Sequence, residues 1–267
     1  MCYRFELLEF EDCLFKNVDA TYILHLEGNG RIDHIHDQLK TYHPSKKVYI
    51  VYNKGYKNCA KELKEQSSGN DIIHANITVF EHAQQYKHIL VLEDDFIFNN
   101  DVSTHAKHVD DFLKWDASYV YQLGSNPLLA LPIDMYHYRV IGMLGHANIY
   151  PFSSRKTLID DFNNSKIQGS GIDIYLFKAL PIYMYHKPLC YQTFPMTENR
   201  KTSWNGTFDN ILISCTNLEN EPEPGFTILY WIAKLIPFLL LLLVLCILYK
   251  VVPCLSCTGL KGKRVRR

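Results

Sequence analysis

No acidic residue follows Glu223. All 28 carboxylates precede Gly225 together with 21 of the 28 basic residues, so a formal charge of zero conceals a net-acidic body and a purely basic end. A net-acidic body repels a phosphate backbone, and nucleic acid is not expected as a partner. Zinc-site spacing is also lacking. Cys2, Cys13, Cys59, Cys190 and Cys215 form an odd, scattered set without CxxC spacing, which supports neither structural zinc nor a disulfide scaffold. The one CxxC, Cys254 and Cys257, has no second pair and adjoins an apolar run, where S-acylation is the better expectation. There are no internal repeats or low-complexity tracts. No signal peptide is visible either, because residues 1–10 carry Arg4, Glu6 and Glu9 where an apolar stretch would stand. With 47% hydrophobic and 13% aromatic residues, disorder is excluded as the main state, and 267 residues suffice for a sizeable core.

Residues 226–249 hold one charge, Lys234, and one proline, Pro237. As a helix this run extends about 36 Å, against roughly 30 Å of bilayer hydrocarbon. Lys234 lies near one end, where its stem can carry the ammonium to the interface. Tyr230 and Trp231 at one border and Tyr249 at the other suit aromatic belts. A buried core helix would need protein on all sides of a run that has no polar face. A single transmembrane helix over 226–252 is therefore expected, after a linker at 216–225 and before a basic tail at 253–267. Two arguments on its orientation conflict. A lone C-terminal span leaves the preceding domain in the cytosol, whereas Lys250, Lys261, Lys263, Arg264, Arg266 and Arg267 place the tail there. A cytosolic domain is the expectation adopted. The sequons at Asn76, Asn163 and Asn205 would be modified only in the opposite orientation.

The first 19 residues are weakly patterned and read as an extension to a domain at 20–215. Residues 20–26 and 47–52 read as strands and 33–40 as a short helix. Residues 58–66 look helical, and Asp71 is expected to cap a helix that buries Ile73, Ile77 and Phe80. Residues 88–92 (HILVL) are the most core-like strand. Helix 101–115 and strand 118–123 follow, then a proline-bearing connection and short strands near 138–141 and 147–150. Ser153 or Ser154 should cap a helix to Phe162, another helix starts at Asp173, and 181–192 is extended. Strands alternating with helices predict an α/β domain with a mostly parallel sheet. Ligands gather at the carboxyl ends of such strands, here after Leu26, Tyr52 and Leu92.

The last of those ends carries Glu93, Asp94 and Asp95. Crowded carboxylates raise one another's pKa unless a cation neutralises them, and Mg²⁺ or Mn²⁺ bridging to a nucleotide's phosphates would do so. Solvated turn residues are the equally weighted alternative. The element ILVLEDDF resembles the LEDD motif of family 25 glycosyltransferases, the group that includes lipooligosaccharide and procollagen galactosyltransferases and has relatives in large DNA viruses. The resemblance extends over about residues 20–204. YILHLEGNGR is similar to the family's first strand, ending at Leu26, and its arginine, Arg31. GHANIY is placed like the strand before the acceptor-side helix, and GSGIDIYL resembles the later aspartate-bearing segment. Residues 27–30 (EGNG) depart from the more polar pattern usual there.

The resemblance implies a GT-A fold, a nucleotide-sugar donor of the UDP type, and a glycan or glycoprotein acceptor. It implies Asp95, with Glu93 or Asp94, as ligands of Mn²⁺ or Mg²⁺, with Asp94, Arg31 and Leu26 on the donor side. Asp173 is the candidate base for an inverting transfer, or else a helix cap. His186 is a candidate further metal ligand, though most of the 12 histidines must be ordinary. His74 and His146 are candidates for packing or donor contacts, and residues 192–204 suit a loop over the sugar. Two rival functions remain, a metal-dependent phosphoester hydrolase and a catalytically inactive membrane-tethered binding module.

Overall fold

The computed structural model of the protein describes residues 1–143, 145–167, 172–193, 213, 215, 217–218 and 221–258, with the backbone alone at 143, 173, 174 and 250–258. Strands β2 (Ala20–Leu26), β3 (Lys47–Asn53) and β4 (His88–Glu93) lie parallel in the order β3-β2-β4. Their near-continuous apolar sequences are what parallel strands covered on both faces require. Tyr22, Leu24, Ile89 and Val91 pack on one face, against α2 (Ser68–His82), α4 (Phe152–Asn163) and α5 (Ile172–Ala179). Ile23, Ile50, Leu90 and Leu92 pack on the other, against α1 (Ile32–Thr41) and α3 (Val102–Phe112). The result is a mixed α/β domain with helices on both faces of its sheet.

Beyond β4 the sheet continues through β9 (Ala147–Pro151), β6 (Val120–Gln122), β10 (Ile182–Tyr185), β8 (His137–Met143) and β7 (Asn126–Pro132). At its opposite edge β1 (Tyr3–Glu9) pairs antiparallel with β3. Traced through the pairings, β2, β3, β4, β6, β7 and β10 run one way and β1, β8 and β9 the other, so the sheet is mostly parallel in direction. A separate antiparallel pair joins β5 (Phe96–Phe98) to β11 (Cys190–Gln192).

Several local expectations change. The weakly patterned N-terminus supplies edge strand β1. Its register lays Tyr3 against Asn53, which carries Cys2 to the end of β3, where it forms a disulfide with Cys59 that the spacing did not reveal. Residues 58–66 are turns and bends instead of helix. That segment is pinned by the disulfide and by Lys61, whose buried ammonium pairs with Asp71 and donates to Asn53 Oδ1 at 2.5 Å. Asp71 is thus a buried ion-pair partner inside α2, and Ser67 is the cap, accepting from Asn70 N at 3.3 Å. In α4 the helix starts after Pro151, while Ser154 is buried and bridges the backbone N–H and carbonyl of Tyr119 at 2.8 and 2.7 Å. The proline-bearing connection is β7, an edge strand, where prolines at 127 and 132 leave few ladder bonds unmade.

Helix α6 (Pro222–Thr258) begins inside the expected linker. Its portion Pro222–Tyr249 has a mean hydropathy of 2.7 and is long and apolar enough to cross a membrane. Only 6% of that apolar window is buried, which is unlike a core helix.

Candidate functional site

Three segments of the chain converge at the carboxyl ends of β2 and β4. After Leu26 the backbone turns through Gly28 (φ +81°) and Gly30 (φ +78°), conformations that favour glycine. The turn carries Asn29 and Arg31 back toward the acids that follow β4. Asp94 receives the resulting bonds. Its Oδ2 accepts from His25 Nδ1 at 3.2 Å, Leu26 N at 3.1 Å and Asn29 Nδ2 at 2.5 Å. Its Oδ1 accepts from Arg31 at 2.6 Å. Burial alone would raise this carboxyl, but the His25 bond, the Arg31 charge, the Asn29 amide and the Leu26 N–H outweigh it and hold Asp94 below the usual carboxylate range.

Asp95 sits beside it in the opposite condition. Its side chain is 6% exposed, Gln192 Nε2 donates to Oδ2 at 3.2 Å, and Arg31 lies 3.7 Å from the same oxygen. Among the described residues the buried Oδ1 has no hydrogen-bond partner. Burial and the neighbouring Asp94 charge push the Asp95 carboxyl up to about 7, opposed by Arg31 and Gln192. An anionic acid and a proton-holding acid are therefore set side by side, and Arg31, with 23% of its side chain exposed, closes the rim. A buried acceptor with an open lone pair suits one ligand position of a hard divalent cation, which would also return Asp95 to its ionised form.

The surrounding frame is made by α1 and the small sheet. His34 Nε2 donates to the carbonyl of Phe96 at 2.7 Å, and Gln38 Oε1 accepts from Phe98 N at 3.0 Å, so α1 holds β5 in place. β5 in turn pairs with β11, whose last residue is Gln192, and Thr193 N donates to the carbonyl of Asp95 at 3.1 Å. His146 lies beneath. It is fully buried, its Nε2 faces the Cys190 carbonyl at 3.3 Å, and burial lowers its pKa to about 4. Gly124 makes this approach feasible, since a Cβ there would fall 1.9 Å from the Cys190 carbonyl oxygen.

Of the residues expected from the sequence, Leu26, Arg31, Asp94 and Asp95 meet. Glu93 ends β4 with its N–H bonded to the His146 carbonyl at 2.9 Å. His186 follows β10 and packs its ring near Tyr185, Tyr136 and His105. Burial, then Lys234 and its cationic neighbours, lower its pKa to about 4. The expected trio of Glu93, Asp95 and His186 is not gathered, and among the described residues no three His, Cys, Asp or Glu side chains are grouped to hold a metal ion. Asp173 is the second residue of α5, but its side chain lies outside the described residues, as do residues 194–212 of the expected loop. His74 is a packing residue, stacked on Tyr3 and facing its hydroxyl at 2.9 Å. Sequence reasoning missed His25, Asn29 and the specific role of Gln192. His25 had a readable signal, a lone imidazole near the end of an otherwise apolar strand, and Asn29 stood between two glycines.

No protein-family description and no curated protein sequence matches the chain. Among solved structures it is similar to A197 from STIV, at 14% identity over 67% of this chain and 86% of that one, with a TM-score of 0.39. It is also similar to a mannose-1-phosphate geranyltransferase from Thermus thermophilus, at 10% identity over 63% and 73%, with a TM-score of 0.40. A third is a glycosyltransferase involved in glycosylation of the major capsid of PBCV-1, at 11% identity over 63% and 92%, with a TM-score of 0.31. Likeness at this level identifies neither a reaction nor a substrate.

Proposed function

We propose that the chain is a membrane-anchored glycosyltransferase of the GT-A type, related to family 25, that moves a sugar from a nucleotide-sugar, of the UDP class, to a glycan or glycoprotein hydroxyl. The observation that carries this reading is the Asp94–Asp95 turn at the carboxyl end of β4, tied to the β2 turn by Arg31, Asn29 and Leu26 N. Asp94 is consumed in holding that turn, so it positions Arg31 instead of binding a ligand. Arg31 is the rim cation for a donor diphosphate. Asp95 would hold Mn²⁺ or Mg²⁺ through Oδ1, which has no partner among the described residues, with Glu93 adjacent in the chain. Such an ion supplies charge neutralisation at the departing phosphate. Asp173 is the proposed base that takes the acceptor hydroxyl's proton as its oxygen attacks the anomeric carbon and the nucleotide diphosphate leaves.

The test is donor turnover by the full-length protein in detergent, screened over UDP- and GDP-sugars with Mn²⁺ and with EDTA. Metal-dependent release of one nucleotide, abolished in Asp95→Ala, is the expected result. A folded protein that neither turns over nor binds any nucleotide in metal would leave the binding module as the better account.

We further infer, against the cytosolic expectation, that the domain lies on the non-cytosolic side of its membrane. The support is the pairing of Cys2 with Cys59, since disulfides persist in oxidising compartments, together with the basic tail, which belongs in the cytosol. Of the sequons, Asn76 is buried in α2 with its amide bonded to the Ile72 carbonyl, while Asn163 is exposed at the end of α4. Glycosidase-sensitive mass lost in Asn163→Gln would support this placement. A protein from expressing cells with Cys2 and Cys59 both reduced would overturn it.

A further inference from the structure

The first turns of α6 belong to the domain and the rest does not. Phe226, Leu229, Tyr230 and Ala233 are buried, and the Phe226 ring meets those of Tyr191 and His146 at 5.8 and 5.6 Å. The helix then follows β7 toward the β7–β8 turn. Past Lys234 the association fades, with Ile236 and Pro237 half-buried and continuous exposure from Phe238. The Lys234 ammonium donates to the His186 carbonyl and stands 5.1 Å from the ring centres of Tyr138 and Trp231. From Phe238 to Leu248 the large apolar side chains are 50–61% exposed.

The level at which α6 leaves the protein is also the level of the β7–β8 turn. His186 N donates to the Tyr136 carbonyl at 2.7 Å, and Ile133 N to that of His137 at 3.0 Å, so the turn is fixed beside Lys234. Its tip is apolar and uncovered, with Ile133 48%, Met135 83% and Tyr136 36% exposed. Leu128 and Leu131 on β7 add two more exposed side chains at 49% and 47%. Exposed apolar residues clustered on an edge hairpin mark a contact surface in a soluble setting. The tip's one charge, Asp134, is 51% exposed, but its carboxylate is engaged locally, accepting from Tyr136 N at 2.7 Å and His137 N at 2.8 Å and facing His137 Nδ1 at 2.9 Å.

We propose that the β7–β8 tip, residues 133–136, is seated in the headgroup–acyl boundary of the bilayer that α6 crosses, with Ile133 and Met135 in contact with lipid. The occupant is lipid because the tip is continuous with the exit of α6, where Trp231, Tyr136 and Tyr138 lie with Lys234 as an interfacial ring of aromatics and a cation does. The domain is then held against the membrane at two places instead of hanging from a tether.

The test uses the full chain in phosphatidylcholine vesicles doped with a diazirine-bearing phosphatidylcholine, irradiated and mapped by mass spectrometry. Trp115 is the internal control, since it is 48% exposed and packs at 5.5 Å from Tyr183, near the opposite end of β10 from His186. Labelling of 133–136 several-fold above the Trp115 segment, together with labelling of 238–248, is the expected result. It should fall to the Trp115 level in an Ile133→Glu, Met135→Glu variant that keeps its melting temperature and its labelling of α6. Labelled α6 with an unlabelled tip, a tip cross-linked to a second copy, or no labelling of α6 would each overturn the proposal. None of these readouts depends on catalysis, so they stand apart from the transferase test.

Discussion

Replacing Asp95 by asparagine should stabilise the metal-free protein above neutral pH while removing its function. In the folded chain the Asp95 carboxyl holds its proton up to about pH 7, because it is buried beside anionic Asp94. In the unfolded chain it releases that proton near its ordinary value of 3.8. Below about pH 4 both states are protonated and the group contributes nothing to pH dependence. As pH rises toward 7 the unfolded state alone is deprotonated, so stability falls, and above 7 the full penalty is present. A gap of this size has a ceiling of about 4 kcal/mol, of which roughly half should survive local relaxation and water entry. At 2 to 4 °C per kcal/mol, that is roughly 4 to 8 °C in melting temperature. The assay is thermal unfolding in detergent and EDTA from pH 4 to 8.5 for wild type and Asp95→Asn. The variant should match wild type at pH 4 and exceed it at pH 8. Adding Mn²⁺ should raise the wild-type melting temperature at pH 8 and leave the variant unmoved. Parallel curves for the two proteins across this range would refute the reasoning about Asp95.

Three further outcomes follow from the same contacts. Asp94→Ala leaves Arg31 and three other donors without their acceptor, and should cost about 3–5 kcal/mol as measured by unfolding, the range for breaking a buried pair. His146 is neutral in the folded state down to about pH 4, so it contributes stability above its ordinary 6.5 that is lost as pH falls toward 4. In His146→Gln the slope of stability with pH between 4 and 6.5 should shrink by up to about 3 kcal/mol over the interval, read by chemical unfolding at each pH. Cys2→Ser opens a 57-residue separation and releases the 54–66 loop from β1, with an expected cost of about 2–4 kcal/mol in non-reducing unfolding.

The strands that build the site were legible because burial on both faces leaves an apolar run in the sequence, and 20–26, 47–52 and 88–92 are such runs. The acids were legible by position, at the end of the last of these. What holds them was not. His25, Asn29 and Gln192 reach Asp94 and Asp95 from two other segments, and nothing in a one-dimensional pattern records that Gln192 lies 97 residues from its partner yet 3.2 Å away. Asp71 shows the same limit. Its place before an apolar stripe suited a cap, but the pairing that decides its role comes from Lys61, in a loop shaped by a disulfide. Edge strands β1 and β7 were hidden because one-sided pairing tolerates charges and prolines that a central strand excludes.

The border between domain and anchor was misplaced for a related reason, and it yields the last prediction. Hydropathy is blind to whether an apolar side chain faces lipid or protein, so 226–234 read as the beginning of the span. In the structure Phe226, Leu229, Tyr230 and Ala233 are at most 5% exposed; Phe226 and Leu229 pack with Tyr191, Ile213 and Leu218, and Tyr230 and Ala233 join the main core. Burying each of the three large side chains contributes about 2 kcal/mol, so a truncation ending at Gly225 forfeits roughly 6 kcal/mol. That is comparable to the whole stability of many domains, about 5–15 kcal/mol. It would also uncover His146 and Tyr191, directly behind the Gln192–Asp95 contact. A truncation ending at Leu235 retains these contacts. It should melt cooperatively and keep any donor binding, while the shorter one aggregates or melts far below it. The two should be compared by circular dichroism and nucleotide titration side by side. Equal melting temperatures within about 2 °C would mean that α6 docks too weakly to count as part of the fold.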